Sequence, residues 1–314
     1  MIKNGKVTII GAGLVGSTTA FALMHSSVVT EIVLIDIDKN KADGDILDMS
    51  HGMSFIKPIT LKSGGYEDAA GSQLVIITAG ANQKEGETRL DLMKKNTKIF
   101  TQITNDLKKF ISEETIVLVV TNPVDILTHL TYKLLGFPRA KVIGSGTVLD
   151  TARFRYAISQ KMKVDTRNVH SYIIGEHGDS EVAVWSGASI GMMSLDEYCQ
   201  NLSSCCEFDK NEIYEDVKNA AYKIIEKKGA TYYAIAMGVR RITECILRDE
   251  NSILTISTHL SGEYGIEDIC LSLPTLVGKD GAGKVLEIPL SPDEVAKLTD
   301  SARVLKTHAE EIGI

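Results

Sequence analysis

The stretch "VTIIGAGLVG", Val7 to Gly16, ends a β-branched run in three glycines, Gly11, Gly13 and Gly16, at G-x-G-x-x-G spacing. An apolar, helix-compatible segment follows over 14–27. A second apolar run, "EIVLIDID" from Glu31, places an acid, Asp36, 20 residues after Gly16. Strand, glycine turn, helix, strand, acid is the order a bound dinucleotide requires. Gly11 permits a tight turn, Gly13 lets backbone N–H groups approach a pyrophosphate, and Gly16 lets the helix pack close to the sheet. The positive end of the helix dipole then faces the anion. The Asp36 carboxylate suits the two hydroxyls of an adenosine ribose and repels a 2′-phosphate, which favours NAD over NADP. The expected cofactor contacts are Gly11, Gly13, Leu14, Val15, Gly16 and Asp36, with Thr78, Ala79, Gly80 and Asn122 further along.

The rhythm set by that unit continues. "QLVIITAG" (73–80), "IVLVVTNP" (116–123) and a weaker "KVIGSG" (141–146) are further buried-looking strands, with a helical stretch over 90–111 between two of them. Near-continuous apolar strands alternating with helices predict a Rossmann-type doubly wound parallel sheet. From residue 147 the pattern changes. A long helical run, "VLDTARFRYAISQKM", leads into paired strand-like runs, "SILTISTHLSG" and "ICLSLPTLVG". The segment 292–311, opened by Ser291 and Pro292, carries a helix-start signal. These predict a dinucleotide-binding domain over 1–146 and a second, mixed α/β substrate domain over 147–314.

The bulk numbers fit. A chain of 314 residues with 44% hydrophobic and 24% charged residues suits two globular domains. A net charge of −7 argues against a nucleic-acid footprint. No stretch reaches membrane-spanning length, and a cytoplasmic location is expected. Lys3 and Lys6 before the first apolar run mimic a signal peptide, but glycines interrupt the run and cleavage would remove a strand. Five cysteines, Cys199, Cys205, Cys206, Cys245 and Cys270, include no C-x-x-C pair and read as reduced thiols. The remaining histidines share no metal-ligand spacing, so no metal is expected. Tyr232 and Tyr233 read as packing residues, and "EKKGA" as a solvated helix end.

Chemistry gathers at four further places. "ANQKEGETRLDLMKKN", after the third of the quoted strands, is a polar loop leaving a strand end, where it can close over a substrate, with Arg89 near its helical end. In "TNPVD", Asn122 can donate to a carbonyl near a nicotinamide. In "GTVLDTARFR", Asp150 and Arg153 stand three apart and share a helix face, whereas Arg155 points to the opposite side. Finally, "IIGEHGDSEV", Ile173 to Val182, brackets His177 between two glycines.

"GAGLVG", "NQKEGETR", "TNPVD", "LDTARFR" and "GEHGDS", in this order and spacing, resemble the L-lactate/malate dehydrogenase family over essentially the whole chain, with most likeness to its bacterial L-lactate dehydrogenases. The resemblance implies roles. His177 is the acid–base residue, giving a proton to the ketone of pyruvate as hydride arrives from NADH. Asp150 orients its ring and stabilises the imidazolium. Arg153 grips the substrate carboxylate through a bidentate fork. Arg89 swings in to polarise the ketone while water is excluded. Thr231 lines the pocket, and Ile235 packs near the nicotinamide.

Substrate choice falls on Gln83. Malate dehydrogenases that resemble this loop carry arginine there, to pair a second carboxylate. A neutral amide leaves that carboxylate unpaired, so pyruvate is expected over oxaloacetate, with bulkier L-2-hydroxy acids or malate as the alternative. Arg155 and His170 match the pair with which similar bacterial enzymes bind fructose 1,6-bisphosphate between subunits. The resemblance therefore implies an allosteric homotetramer serving glycolysis and fermentation, with activation that fades as rising pH removes histidine charge. A reading from another class, a non-catalytic NAD-binding sensor or scaffold, predicts loss of His177, Asp150, Arg153 or Arg89, and all four are present.

Overall fold

The computed structural model describes residues 5–81, 86, 88–201 and 208–314. Four β-branched runs become strands β1 (Lys6–Ile10), β2 (Glu31–Ile35), β4 (Leu74–Ile77) and β5 (Ile116–Val119), and their sixteen innermost positions from Val7 onward are buried. A short edge strand, β3 (Thr60–Ser63), and β6 (Val142–Gly144) complete a parallel sheet. Helices α1 (Leu14–Met24), α2 (Lys39–His51), α3 (Arg89–Leu107) and α4 (Val124–Leu135) connect its strands. The strand order, β3-β2-β1-β4-β5-β6, is doubly wound about β1 and β4, which are adjacent and parallel.

The second half opens with α5 (Val148–Met162), the helix expected from "VLDTARFRYAISQKM". Two-residue strands follow: β7 (Val169–His170), β8 (Ile173–Ile174), β9 (Val182–Ala183), β10 (Ser189–Ile190) and β11 (Met193–Ser194). Then come helices α6 (Leu195–Asn201), α7 (Lys210–Lys218), α8 (Ala220–Lys228) and α9 (Tyr233–Arg248). The two paired runs form a long antiparallel hairpin, β12 (Ser252–Ser261) and β13 (Glu267–Gly278), extended by β14 (Gly281–Val285). Helix α10 (Pro292–Glu311) closes the chain, and the Ser291 hydroxyl and Glu294 carboxylate cap its start reciprocally.

The hairpin does not form a sheet of its own. β12 pairs antiparallel with β6 at Ser257 and Gly144, giving one nine-stranded sheet, β14-β13-β12-β6-β5-β4-β1-β2-β3. The two halves therefore share a framework, and α9 packs on α1 across them. Ile242 and Cys245 of α9 lie in the same core as Val7, Leu23 and Leu34.

Two expectations need correction. Cys199 is disulfide-bonded, while Cys245 and Cys270 are buried free thiols. Cys205 and Cys206 lie outside the described residues. Spacing alone misleads here, because a disulfide needs spatial proximity rather than a C-x-x-C pattern. Tyr233 is not a packing residue, being 65% exposed. The ammonium of Lys228, in the helix end read as solvated, lies 3.4 Å from the Tyr232 ring centroid and 4.1 Å from that of Tyr233. An exposed cation gains from an aromatic face, so neither group is left to water alone. No helix among the described residues is long and apolar enough to cross a membrane.

Candidate active site

The glycine loop joins β1 to α1 at the carboxyl edge of the sheet. Gly11 has φ +109°, and a Cβ there would lie 2.5 Å from the Ala79 backbone nitrogen. A Cβ on Gly16 would lie 1.8 Å from the Gly11 carbonyl oxygen, so strand and helix approach too closely for any side chain. Gly13 is different. Nothing lies within 4 Å of where its Cβ would stand, and it is exposed with Leu14. That open space over a helix N-terminus fits a pyrophosphate. Asp36 ends β2 with Oδ2 accepting from Ala12 N at 2.6 Å and Oδ1 from Asp38 N at 2.8 Å. The acid is thereby fixed beside the loop, with lone pairs left for ribose hydroxyls. Thr78, after β4, donates its hydroxyl to the Gly11 carbonyl at 2.9 Å, and Thr121 donates to Ala79 at 2.8 Å. Asn96 of α3 braces the same edge, donating to the Asn122 carbonyl at 3.0 Å and accepting from Ala81 N at 2.8 Å. Gly80 follows β4, and Val15 is the second residue of α1.

The imidazole loop is pinned from three sides. β8 and β9 pair at Ile174 and Val182, closing residues 175–181 into a hairpin loop. Gly175, with φ +90°, exchanges backbone hydrogen bonds with Ser272 of β13 at 2.9 and 3.2 Å. The Ser301 hydroxyl of α10 accepts from Glu176 N at 2.8 Å, and Asp125 of α4 accepts from His177 N at 2.8 Å. His177 is thus placed by backbone contacts before its ring makes any.

The ring's Nδ1 lies 2.5 Å from Asp150 Oδ2, and the other oxygen of Asp150 accepts from Arg153 at 2.9 Å. The Asp150 side chain is only 4% exposed, against 24% for His177 and 16% for Arg153. One buried carboxylate on the first turn of α5 therefore orients both a proton carrier and a guanidinium. Burial alone would push the imidazole pKa down. The Asp150 charge and hydrogen bond, with smaller help from Asp125 and Glu181, override it and hold His177 up at about 9. Burial raises Asp150, but His177 and Arg153 outweigh it, and the carboxyl stays below its ordinary value. At neutral pH the pair is an imidazolium beside a carboxylate, with Nε2 as the free donor.

Arg153 lines a cavity of about 740 Å³ with Thr231 and Ile235, so these three expected site residues come together, while His177 and Asp150 are not among its lining residues. Gln83 lies outside the described residues. Arg89 begins α3, and its side chain also lies outside them. Arg155 leaves the opposite face of α5, as its spacing implied. Its Nε donates to the Ser171 carbonyl at 3.0 Å and its guanidinium stands 5.2 Å from the Tyr172 ring centroid. Burial pushes its pKa down. His170 is exposed on β7, one residue before that carbonyl.

Two buried acids were not singled out from the sequence. Asp125 lies 1% exposed under the His177 loop, and burial lifts its carboxyl to about 6. Its signal was an acid on the first turn of an otherwise apolar helix. Glu181 lies 7% exposed at the return of the loop, and burial, then the charge of Asp150, lifts it to about 8. Its signal was an acid directly before an apolar strand.

A Rossmann dinucleotide cradle whose sheet edge carries an oriented imidazole and a guanidinium defines an NAD-dependent oxidoreductase. Residues 5–144 match the lactate/malate dehydrogenase NAD-binding domain, and residues 147–313 match the lactate/malate dehydrogenase alpha/beta C-terminal domain. The L-lactate dehydrogenase of Acetivibrio thermocellus is 59% identical over 310 residues, 98% of each chain. L-lactate dehydrogenase 1 of Clostridium acetobutylicum is 55% identical over 315 residues, 99% of this chain and 100% of that one. Among solved structures, a lactate dehydrogenase from a Medee basin deep-sea metagenome library superposes with a TM-score of 0.95 at 42% identity, covering 99% of both chains. The ligand-bound minor L-lactate dehydrogenase of Enterococcus mundtii gives 0.94 at 42% identity, with the same coverage. The chain belongs to the lactate/malate dehydrogenase family.

Proposed function

We propose that this protein is an L-lactate dehydrogenase interconverting pyruvate and L-lactate with NADH and NAD. One observation carries the reading: Asp150 bonds His177 on one oxygen and Arg153 on the other, which sets a proton donor and a carboxylate receptor side by side. The nicotinamide, when bound, supplies or accepts the hydride. The chain's own residues do the rest. Residues 1–146 hold the dinucleotide through Gly11, Gly13, Gly16 and Asp36 and lend Gln83, Arg89 and Asn122 to the substrate, and residues 147–314 supply the other substrate groups. Arg153 anchors the substrate carboxylate, His177 delivers its proton to the ketone oxygen, and Asp150 stabilises the imidazolium until it does. Arg89 polarises the ketone from the closing loop, Gln83 accommodates a methyl group, and Asn122 and Thr231 line the site.

The relatives' names support lactate as substrate. Arg155 and His170 support fructose 1,6-bisphosphate as an activator of a cytoplasmic homotetramer. Turnover of bulkier L-2-hydroxy acids or of malate is the alternative. The test is NADH oxidation with pyruvate, oxaloacetate and a branched 2-keto acid. Pyruvate should give the highest kcat/KM, and His177→Asn should keep NADH binding while losing about 10²–10⁴-fold in kcat. Faster oxaloacetate turnover would overturn the role of Gln83.

A further inference from the structure

Hydride and proton must meet at one carbonyl group, yet they come from different halves of the chain. The dinucleotide cradle lies before residue 147, and His177 lies after it. A hydrogen bond crosses between the halves at this point: the His177 N–H donates to Oδ2 of Asp125 at 2.8 Å. Asp125 is the second residue of α4 and follows closely on Asn122, the residue expected at the nicotinamide. Asn122 is itself held, its carbonyl accepting from Asn96 at 3.0 Å. The other oxygen of Asp125, Oδ1, accepts from the Ser272 hydroxyl of β13 at 3.3 Å. Ser272 also exchanges backbone hydrogen bonds with Gly175, just before the imidazole. The carboxylate thus clamps both the His177 loop and the strand behind it.

An acid in the first turn of a helix ordinarily serves that helix, through its free N–H groups or its dipole. Here both oxygens reach partners outside α4. The residue is only 1% exposed. A packing role would be filled at lower cost by leucine, which has a similar branched shape and no polar atoms to bury. We infer that Asp125 is a positioning residue for proton transfer, registering the His177 backbone against the cofactor edge so that the imidazole bonds Asp150 and faces the substrate. The inference rests on the reading of His177 as proton donor. The physical reason is the short reach of the ring. A backbone shift of about 1 Å takes Nδ1 out of its 2.5 Å contact with Asp150 and Nε2 away from the ketone. What the site requires of Asp125 is an acceptor, because removing it leaves the His177 N–H without its partner.

Two variants separate an acceptor from a packing group. Asp125→Leu keeps the branched shape and removes both acceptor atoms. Asp125→Asn keeps one oxygen for the His177 N–H and turns its amide N–H toward the Ser272 hydroxyl, which can accept in place of donating. We expect Asp125→Leu to lose about 10²-fold in kcat for pyruvate reduction while its Kd for NADH stays within about twofold of wild type. Asp125→Asn should recover kcat to within about tenfold of wild type. The ring itself gives an independent readout. In the ¹⁵N-histidine-labelled protein with NADH, the Nδ1 proton shared with Asp150 is followed by NMR, its signal assigned by loss in His177→Asn. That signal should shift or vanish in Asp125→Leu and persist in Asp125→Asn. A leucine variant with wild-type kcat and an unmoved Nδ1 signal would make Asp125 a packing residue and end the proposal. An asparagine variant as slow as the leucine one would end it too. If the leucine variant fails to fold, Asp125→Ala removes the same acceptors and is read identically. If the wild type turned over no 2-keto acid, the functional reading would fail, while the Nδ1 signal would still decide whether Asp125 places the ring.

Discussion

Asp150 shows how one side chain sets the chemistry of two others. Its oxygens are divided between His177 and Arg153, and it is the most buried of the three. Removing its charge while keeping its shape tests this. Asp150→Asn should cost about 10²–10⁴-fold in kcat/KM for keto-acid reduction near pH 8, where wild-type His177 is still protonated and the variant's is not. The same groups predict an alkaline weakness. His177 is raised above its unfolded value, so its stabilisation is complete below about pH 6.5 and is lost as pH rises through about 9. Asp125 and Glu181 are also raised, and their contributions are lost as pH rises through about 6 and about 8. All three signs agree, and above pH 6 the loss comes from Glu181 and His177, because that of Asp125 is complete by about pH 6. Melting temperature should therefore fall from pH 6 to pH 9.5, and fall less steeply in Asp150→Asn. A wild-type melting temperature that rose over that interval would contradict the assignment. His177, Asp150 and Arg153 were legible because their spacing and motifs are local. Asp125 and Glu181 were not, because burial under another element leaves no mark on the segment that carries the acid.

At the scale of the element, the turn between β1 and α1 separates two uses of glycine. Gly16 is needed for packing, whereas packing places no demand on Gly13, which leaves it for the proposed dinucleotide contact. Gly16→Ala must push its methyl into the Gly11 carbonyl, so a loss of about 1–3 kcal/mol or more is expected, with NADH binding weakened in consequence. Gly13→Ala meets only open space, so the melting temperature should stay near wild type while the KM for NADH rises at least tenfold. Thermal melts and NADH titration of the two variants check this, and equal destabilisation by both would refute it. Helices α5 and α10 were readable to the residue because apolar periodicity and, for α10, the Ser291–Pro292 start mark them. β3 was not read, since the edge strand Thr60–Ser63 is short and only partly buried, so it lacks the apolar run that marks its neighbours.

Across the whole molecule, the two faces of α5 connect the candidate active site with Arg155, a residue of the proposed anion site. Arg153 lines the cavity and bonds Asp150, and Arg155 bonds the carbonyl that follows the strand carrying His170. If the proposed activator binds at Arg155, it acts on the helix that holds Asp150, which would give coupling a physical route. Saturating fructose 1,6-bisphosphate at pH 6 should lower the pyruvate KM several-fold and favour the larger assembly. Arg155→Gln should abolish both effects while leaving NADH binding intact. Steady-state kinetics with light scattering would show it, and an unchanged KM and mass in the wild type would reduce Arg155 and His170 to structural residues.

The amino-acid sequence by itself determined the doubly wound dinucleotide fold and picked out His177, Asp150 and Arg153, which the structure brings together. Each of these follows from local periodicity, glycine geometry or a short motif. Only the tertiary structure decided how the second half joins the first. The single pairing of Ser257 with Gly144 makes the hairpin an extension of the Rossmann sheet, and no spacing rule encodes a contact between residues so far apart. It also decided the proton affinities. Those depend on how deeply Asp150, Asp125 and Glu181 are buried around one imidazole, and burial belongs to the packed molecule rather than to any segment of the chain.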